Sequence, residues 1–97
     1  FINRFKLDYA VIGVSAIEED GTILDFDSRE VCVTQAIIRN SRSVILVADE
    51  LKFQRKAPVR VCNVSEIDYF ITDQKPPDKF ISVCSEHSVV IKTTAVS

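Results

Sequence analysis

The apolar residues of this chain fall into two repeating patterns. YAVIGV (residues 9–14) and SVILVA (43–48) are short, almost unbroken apolar runs rich in valine and isoleucine, the pattern of strands covered on both faces. DYFITD (68–73) is similar and carries an aspartate at each end, and SVVIK (88–92) is a fourth run of the kind. Between the first two runs, SREVCVTQAIIRNS (28–41) spaces its apolar residues as a helix does. Val31, Val33, Ala36 and Ile37 share a broad face there, with Ser28 as N-cap and Arg39 in the last turn. PPDKFISVCSEHS (76–88) opens with prolines at a helix start and sets Phe80, Ile81 and Cys84 on one stripe. His87, near its end, reads as a favourable charge or a C-terminal cap. NVSEI (63–67) fits a single helical turn.

The order is therefore strand, helix, strand, short turn, strand, helix, strand. Such alternation predicts an α/β domain: a mostly parallel sheet with flanking helices and right-handed crossovers. Ligands of these sheets lie beyond the carboxyl ends of the strands, which draws attention to Ser15, Asp49 and Asp73, one after each of the first three strands. Of the two glycines, Gly13 permits either tight backbone geometry or the close approach of a ligand. Gly21, in EEDGT, completes a turn.

Ninety-seven residues make one domain or part of one, burying roughly two thirds of the surface on folding. A formal net charge of −2 excludes a wholly basic nucleic-acid binder, and 46% hydrophobic residues give no reason to expect disorder. The charge is unevenly placed. Six acids (Glu18, Glu19, Asp20, Asp25, Asp27, Glu30) and one base occupy residues 18–30, whereas residues 51–65 hold four bases and no acid. Cys32, Cys62 and Cys84 are odd in number and widely spaced, and His87 has no cysteine at ligand spacing. That predicts buried thiols in a reducing compartment, with neither a disulfide framework nor a metal site. No apolar run nears the roughly 20 residues of a membrane helix, and no signal-peptide pattern opens the chain. A cytoplasmic protein with no membrane partner is expected. The absence of methionine and the start at Phe1 in mid-pattern suggest a fragment of a longer protein.

The chemistry concentrates in VADELKFQRKA (47–57), where an apolar strand ends on Asp49 and turns basic. Lys52, Phe53, Arg55 and Lys56 interleave an aromatic with cations, as single-strand nucleic-acid binders do, but no helix-turn-helix or zinc finger accompanies them. Asp49, Lys52, Glu30 and His87 are available as acids or bases, yet no GxSxG, HExxH or P-loop ties them together, so no catalytic residue is assigned. Anion binding remains: Lys52 reaches into the crevice above the sheet and Arg55 adds a planar fork suited to phosphate oxygens. Asp49 fixes Lys52 or accepts from a sugar hydroxyl. A solvated basic loop stays open as the alternative.

Two longer stretches carry a resemblance. GVSAIEEDGTILDFDSREV and AIIRNSRSVILVADELKFQRKAPVRVCNVSEIDYFITDQKPP resemble the carboxyl-terminal effector-sensing domain of DeoR-family bacterial transcription repressors, from about Asp8 to Pro77. The most specific parts are Asp20 to Asp27, Ala48 to Arg55 and Ser65 to Asp73. The resemblance implies a sensor domain related in fold to ribose-5-phosphate isomerase and glucosamine-6-phosphate deaminase, binding a phosphorylated sugar or polyol and needing no cofactor. On this view residues 1–97 are the carboxyl-terminal part of one sensor domain of a homo-oligomer. Operator DNA is bound only through a winged helix-turn-helix absent from this chain. A sugar-phosphate isomerase or deaminase on the same fold is the alternative. Position by position, Asp49 and Lys52 match the family's D-x-S-K, with Lys52 the anion contact; Phe53 packs beneath the loop and Arg55 matches the motif's arginine. Gly13, Ser15 and Ile17 match the loop lining the same crevice, and Ala16 lies among them in the candidate site. Ala16 stands where the family usually has glycine, Leu51 replaces its serine and Gln54 its glycine, departures that bear on which effector is accepted.

Overall fold

A computed structural model describes residues 6–94. Four strands form an all-parallel sheet: β1 (Leu7–Ile12), β4 (Ser41–Val47), β6 (Tyr69–Thr72) and β7 (Val90–Thr93), side by side in that order. These are the four apolar runs of the sequence. Three further strands, β2 (Ala16–Ile17), β3 (Thr22–Asp25) and β5 (Val59–Asn63), make a small antiparallel sheet in the order β2-β3-β5. That second sheet corrects the simpler alternation expected. β2 and β3 are too short for a periodic signal, and VRVCN breaks its alternation at Cys62, which is buried beside Val61.

Helix α1 (Ser28–Arg39) begins one residue earlier in its capping than Ser28 suggests. Asp27 is the N-cap, its carboxylate accepting from the Arg29 N–H at 2.8 Å. Asn40 ends the helix: its side-chain amide donates to the Ala36 carbonyl at 2.7 Å, and the Ser41 hydroxyl donates to that of Ile37 at 2.6 Å. The buried stripe is Val31 and Ile38, and Val33 is half exposed at 51%. The broader face expected from spacing is thus narrowed: where α1 packs against β5, β1 and β4, Ala36 and Ile37 are only half-buried. Helix α2 (Asp78–Glu86) follows Pro77 and buries Phe80 and Cys84, with Ile81 half-buried. His87 is its C-cap through the backbone, its N–H donating to the Val83 and Cys84 carbonyls.

Alternation along the parallel strands sends Ala10, Ile12, Val44, Leu46 and Phe70 to one face. There Ile12, Val44, Leu46 and Phe70 meet Val31 and Ile38 of α1, Phe80 and Cys84 of α2, and Ile17, Ile23, Val61 and Cys62 of the small sheet, in a single core. The opposite face is open among the described residues. Val11, Ile45, Tyr69 and Val90 are in register across all four strands, and Val47, Ile71 and Lys92 form the next row. Tyr9 and Val11 are each 68% exposed, although parallel sheets are ordinarily covered on both sides.

Gly21 does more than complete its turn. Its φ is +95°, and a Cβ there would meet Cγ1 of the buried Val64 at 2.6 Å and Cγ1 of Val83 at 3.1 Å. The β2–β3 hairpin therefore packs its bare backbone against residues 64–66 and α2, and the Gly21 carbonyl accepts from the Val64 N–H at 2.7 Å. Gly13 has neither a positive φ nor a neighbour within 4 Å of its missing Cβ, so tight backbone geometry is not its role. Gly21→Ala is expected to cost about 1–3 kcal/mol from backbone strain and overlap, and Gly13→Ala within about 0.5 kcal/mol of zero. Urea midpoints of the two variants check this; equal effects would contradict the packing just described.

Cys62 and Cys84 are buried, but Cys32 lies exposed on α1, a correction to the expectation of three buried thiols. Cys32 lies off the buried stripe of Val31 and Ile38, as Val33 does. Burial pushes the Cys62 thiol up to about 12 and that of Cys84 to about 11, from an ordinary 9.0. Both stay protonated and unreactive in the fold. Because both folded values lie above the unfolded one, their contribution to stability is whole below pH 9 and is lost as pH climbs toward 12. At pH 8, a disulfide exchange reagent should label one thiol quickly in the native protein and three after unfolding in guanidinium; rapid native labelling of three would contradict it.

Candidate effector-binding site

The site is built where β4 and β6 end. β4 runs out at Val47, Ala48 still donates to the Ile71 carbonyl at 3.1 Å, and Asp49 then turns the chain into a 3-10 helix, Glu50–Gln54. Asp49 caps that turn, its Oδ1 accepting from the Leu51 N–H at 3.0 Å. Its other oxygen, Oδ2, sits 3.5 Å from the Lys52 ammonium. Asp73, at the end of β6, holds the same turn from the side: its Oδ1 accepts from the Glu50 N–H at 2.9 Å. Two strand-end carboxylates thus fix one short turn. Asp49 does so because its short side chain reaches the backbone N–H two residues on, and Asp73 because its strand ends beside the start of the turn.

Lys52 is the better buried partner of its pair, with 20% of its side chain exposed against 47% for Asp49. Its aliphatic stem lies against protein while the ammonium stays at the surface. Phe53 points down into the core. Its ring meets Phe80 edge-on at 4.9 Å and Phe70 at 6.1 Å, and Phe70 and Phe80 are themselves 5.0 Å apart. β2 packs against the turn from the other sheet, with Ala16 and Ile17 wholly buried. These two residues shape the site from below and present no surface of their own. Leu51, at 47%, is exposed, as are Gln54, Arg55 and Lys56.

Gly13 leaves β1 one residue past the Ile12–Leu46 pair, so it borders the same carboxyl edge as Asp49. Ser15 turns away toward the small sheet. Its hydroxyl donates to Asp25 Oδ1 at 2.6 Å and its N–H to the Leu24 carbonyl at 3.2 Å. The geometry therefore gathers Asp49, Lys52, Phe53, Ala16 and Ile17, sets Gly13 on the rim and engages Ser15 elsewhere. Asp73 was readable as the third strand-end acid, but its grip on the Glu50 amide was not.

Two clefts border the turn. One, of 160 Å³, lies over the strand ends and is lined by Val47, Asp49, Ile71, Thr72, Asp73 and Thr94, with Ala48 between. The other, of 330 Å³, is bounded by Glu19, Glu50, Phe53, Gln54 and the Lys75–Pro77 segment. Glu19 of the acidic loop and Phe53 and Gln54 of the turn share this second cleft, whose other charged residues are Glu50 and Lys75. Glu19 and Lys75 carry no motif, and only the tertiary contact brings them to the turn.

A turn that carries Lys52 and is pinned by two carboxylates lies at the carboxyl ends of the parallel strands, the edge at which α/β sheets gather their loops. The chain belongs to the DeoR C-terminal sensor domain family, which it matches over residues 1–74. It is similar to the glycerol-3-phosphate regulon repressor of Escherichia coli (strain K12), with 41% identity over 95% of this chain and 36% of that protein. The Haemophilus influenzae protein of the same description is 47% identical over 78% of this chain and 30% of its own length. The HTH-type transcriptional repressor CsqR of Escherichia coli (strain K12) is 38% identical over 79% and 30%. The chain thus spans about a third of the curated relatives it matches. No described helix is long and apolar enough to cross a membrane.

Asp49→Ala removes one cap and one charge partner. It should cost about 1 kcal/mol of stability, whereas Asp49→Asn, which keeps an accepting oxygen, should cost only a few tenths. Chemical denaturation of both variants checks the cap, and an equally large loss in both would move the effect from the cap to the Lys52 pair.

Proposed function

We propose that this chain is the effector-sensing part of a DeoR-type bacterial transcription repressor, and that a phosphorylated polyol or sugar binds at the turn 49–55. The observation that carries this reading is the Asp49–Lys52 pair, 3.5 Å apart at the end of a parallel strand, in a chain 41% identical to a glycerol-3-phosphate regulon repressor. A phosphate dianion brings more negative charge to Lys52 than Asp49 does, so it displaces the carboxylate from the ammonium. Arg55, one residue past the turn, adds a planar fork, and Gly13 leaves room on the rim. Leu51 and Gln54 face solvent at the turn and set which polyol is accepted.

Displacing Asp49 loosens one of the two caps that hold the turn, and the turn is tied through Phe53 to Phe70 and Phe80. Ligand binding thereby favours one arrangement of the domain, a shift of populations that changes how attached DNA-binding domains sit on an operator. In this reading the chain itself binds no DNA, acts as a cytoplasmic homo-oligomer and performs no catalysis; the repressor descriptions of its relatives support a binding role. The open face of the parallel sheet, with Val11, Ile45, Tyr69 and Val90 in one row, supports the further reading that residues 1–97 are one part of a larger sensor domain that covers it.

Thermal unfolding of the intact protein with glycerol 3-phosphate, glycerol and chloride-matched buffer tests the proposal. Glycerol 3-phosphate should raise Tm and glycerol should not. Lys52→Ala should weaken the effect by about 10- to 100-fold in ligand concentration, the loss of one charge-assisted contact. Equal stabilisation of wild type and Lys52→Ala would remove Lys52 as the anchor.

A further inference from the structure

A second polar cleft, of 220 Å³, lies between α1 and β5 and shares no lining residue with the two clefts at the turn. β5 is the edge of the small sheet, and α1 packs along it. Val61 and Cys62 form the floor, 3% and 1% exposed, and Gln35, Arg39, Arg60 and Glu66 form the polar rim.

The rim is built in two halves. Gln35 is fixed by the sheet edge, its Nε2 donating to the Val61 carbonyl at 2.9 Å and to that of Arg60 at 3.4 Å. Glu66 is fixed by the capping box of the 3-10 turn Val64–Glu66, where its Oε2 accepts from the Asn63 N–H at 2.8 Å. These bonds commit the amide donors of Gln35 and one oxygen of Glu66. Arg39 and Arg60 are the reverse case: among the described residues neither guanidinium has a carboxylate within salt-bridge distance. Two guanidiniums and one carboxylate leave the rim positive. Each guanidinium presents the planar fork that matches an oxyanion, while the remaining oxygens of Gln35 and Glu66 accept from hydroxyls. The Cys62 thiol beneath stays protonated and adds no opposing charge.

We propose that this cleft is a second anion site, in which Arg39 and Arg60 together bind the oxyanion of a small hydroxylated metabolite, a phosphate ester or a hydroxycarboxylate. The site is independent of Lys52, so it stands or falls apart from the effector reading.

The test uses the intact protein carrying Lys52→Ala, which silences the turn, titrated with inorganic phosphate and separately with malate at constant ionic strength in chloride. A rise in Tm is expected with one or both, and the anion giving the larger rise separates phosphate from carboxylate chemistry. Adding Arg39→Gln and Arg60→Gln should abolish the rise, each guanidinium accounting for about a ten-fold loss in affinity. Glu66→Gln keeps the capping oxygen and removes the opposing charge, so it should strengthen binding several-fold even if the arginine variants prove unstable. No rise with either anion, a rise that survives loss of both arginines, or weaker binding in Glu66→Gln overturns the proposal.

Discussion

The contact on which the candidate site depends is the packing of three aromatic rings, Phe53, Phe70 and Phe80. They come from the 3-10 turn, the third strand of the parallel sheet and the second helix, with centroids 4.9 to 6.1 Å apart. Phe70 and Phe80 have no exposed surface at all. Aromatic pairs in such tilted and edge-on arrangements contribute about 0.5–1.5 kcal/mol each beyond the area they bury. A five-residue turn has too few backbone hydrogen bonds to hold its own shape. Phe53 anchors it from below, Asp49 and Asp73 clamp it from above, and only then does Lys52 have a defined place. Turn and core are coupled through one side chain.

The same arrangement explains how the acidic loop comes to share a cleft with the turn. Gly21 lets the β2–β3 hairpin lie against Val64 and Val83 with no side chain between. That close approach draws the acidic loop, with Glu19, toward Glu50, Gln54 and Lys75. β2 meanwhile slides its buried Ala16 and Ile17 under the turn. The small antiparallel sheet thus serves two regions. One end supports the turn, and its outer strand β5 offers the edge that Gln35 seals and that Arg39 and Arg60 flank.

The parallel sheet was legible because its four strands are apolar in long, nearly unbroken runs, and their order along the chain is their order in the sheet. Both helices were legible from spacing and caps, though the N-cap fell at Asp27 instead of Ser28 because two neighbouring residues can each cap a helix. The face of α1 was less so: Val33 shares the helical spacing of Ala36 and Ile37 but points away from β5. The second sheet was hidden because β2 has two residues and β3 four, and a period of two needs more positions than that to show. The strand-end acids Asp49 and Asp73 were both visible, as was Lys52.

Local sequence alone determined the four core strands, the two helices, the turns at Gly21 and at residues 63–67, and the aspartates and lysine that gather at the strand ends. These features depend on neighbours a few residues away, whose periodicity and capping chemistry are written in order. Which residues meet across the fold depended on the tertiary structure alone. It joined Asp73 to the Glu50 amide, set Phe53 on Phe80, and placed Glu19 and Lys75 on one cleft and Arg39 and Arg60 on another. Those pairs are separated by 20 residues or more, and no local pattern specifies them. They exist because a one-sided core must pack both helices and a second sheet against the same face of the first.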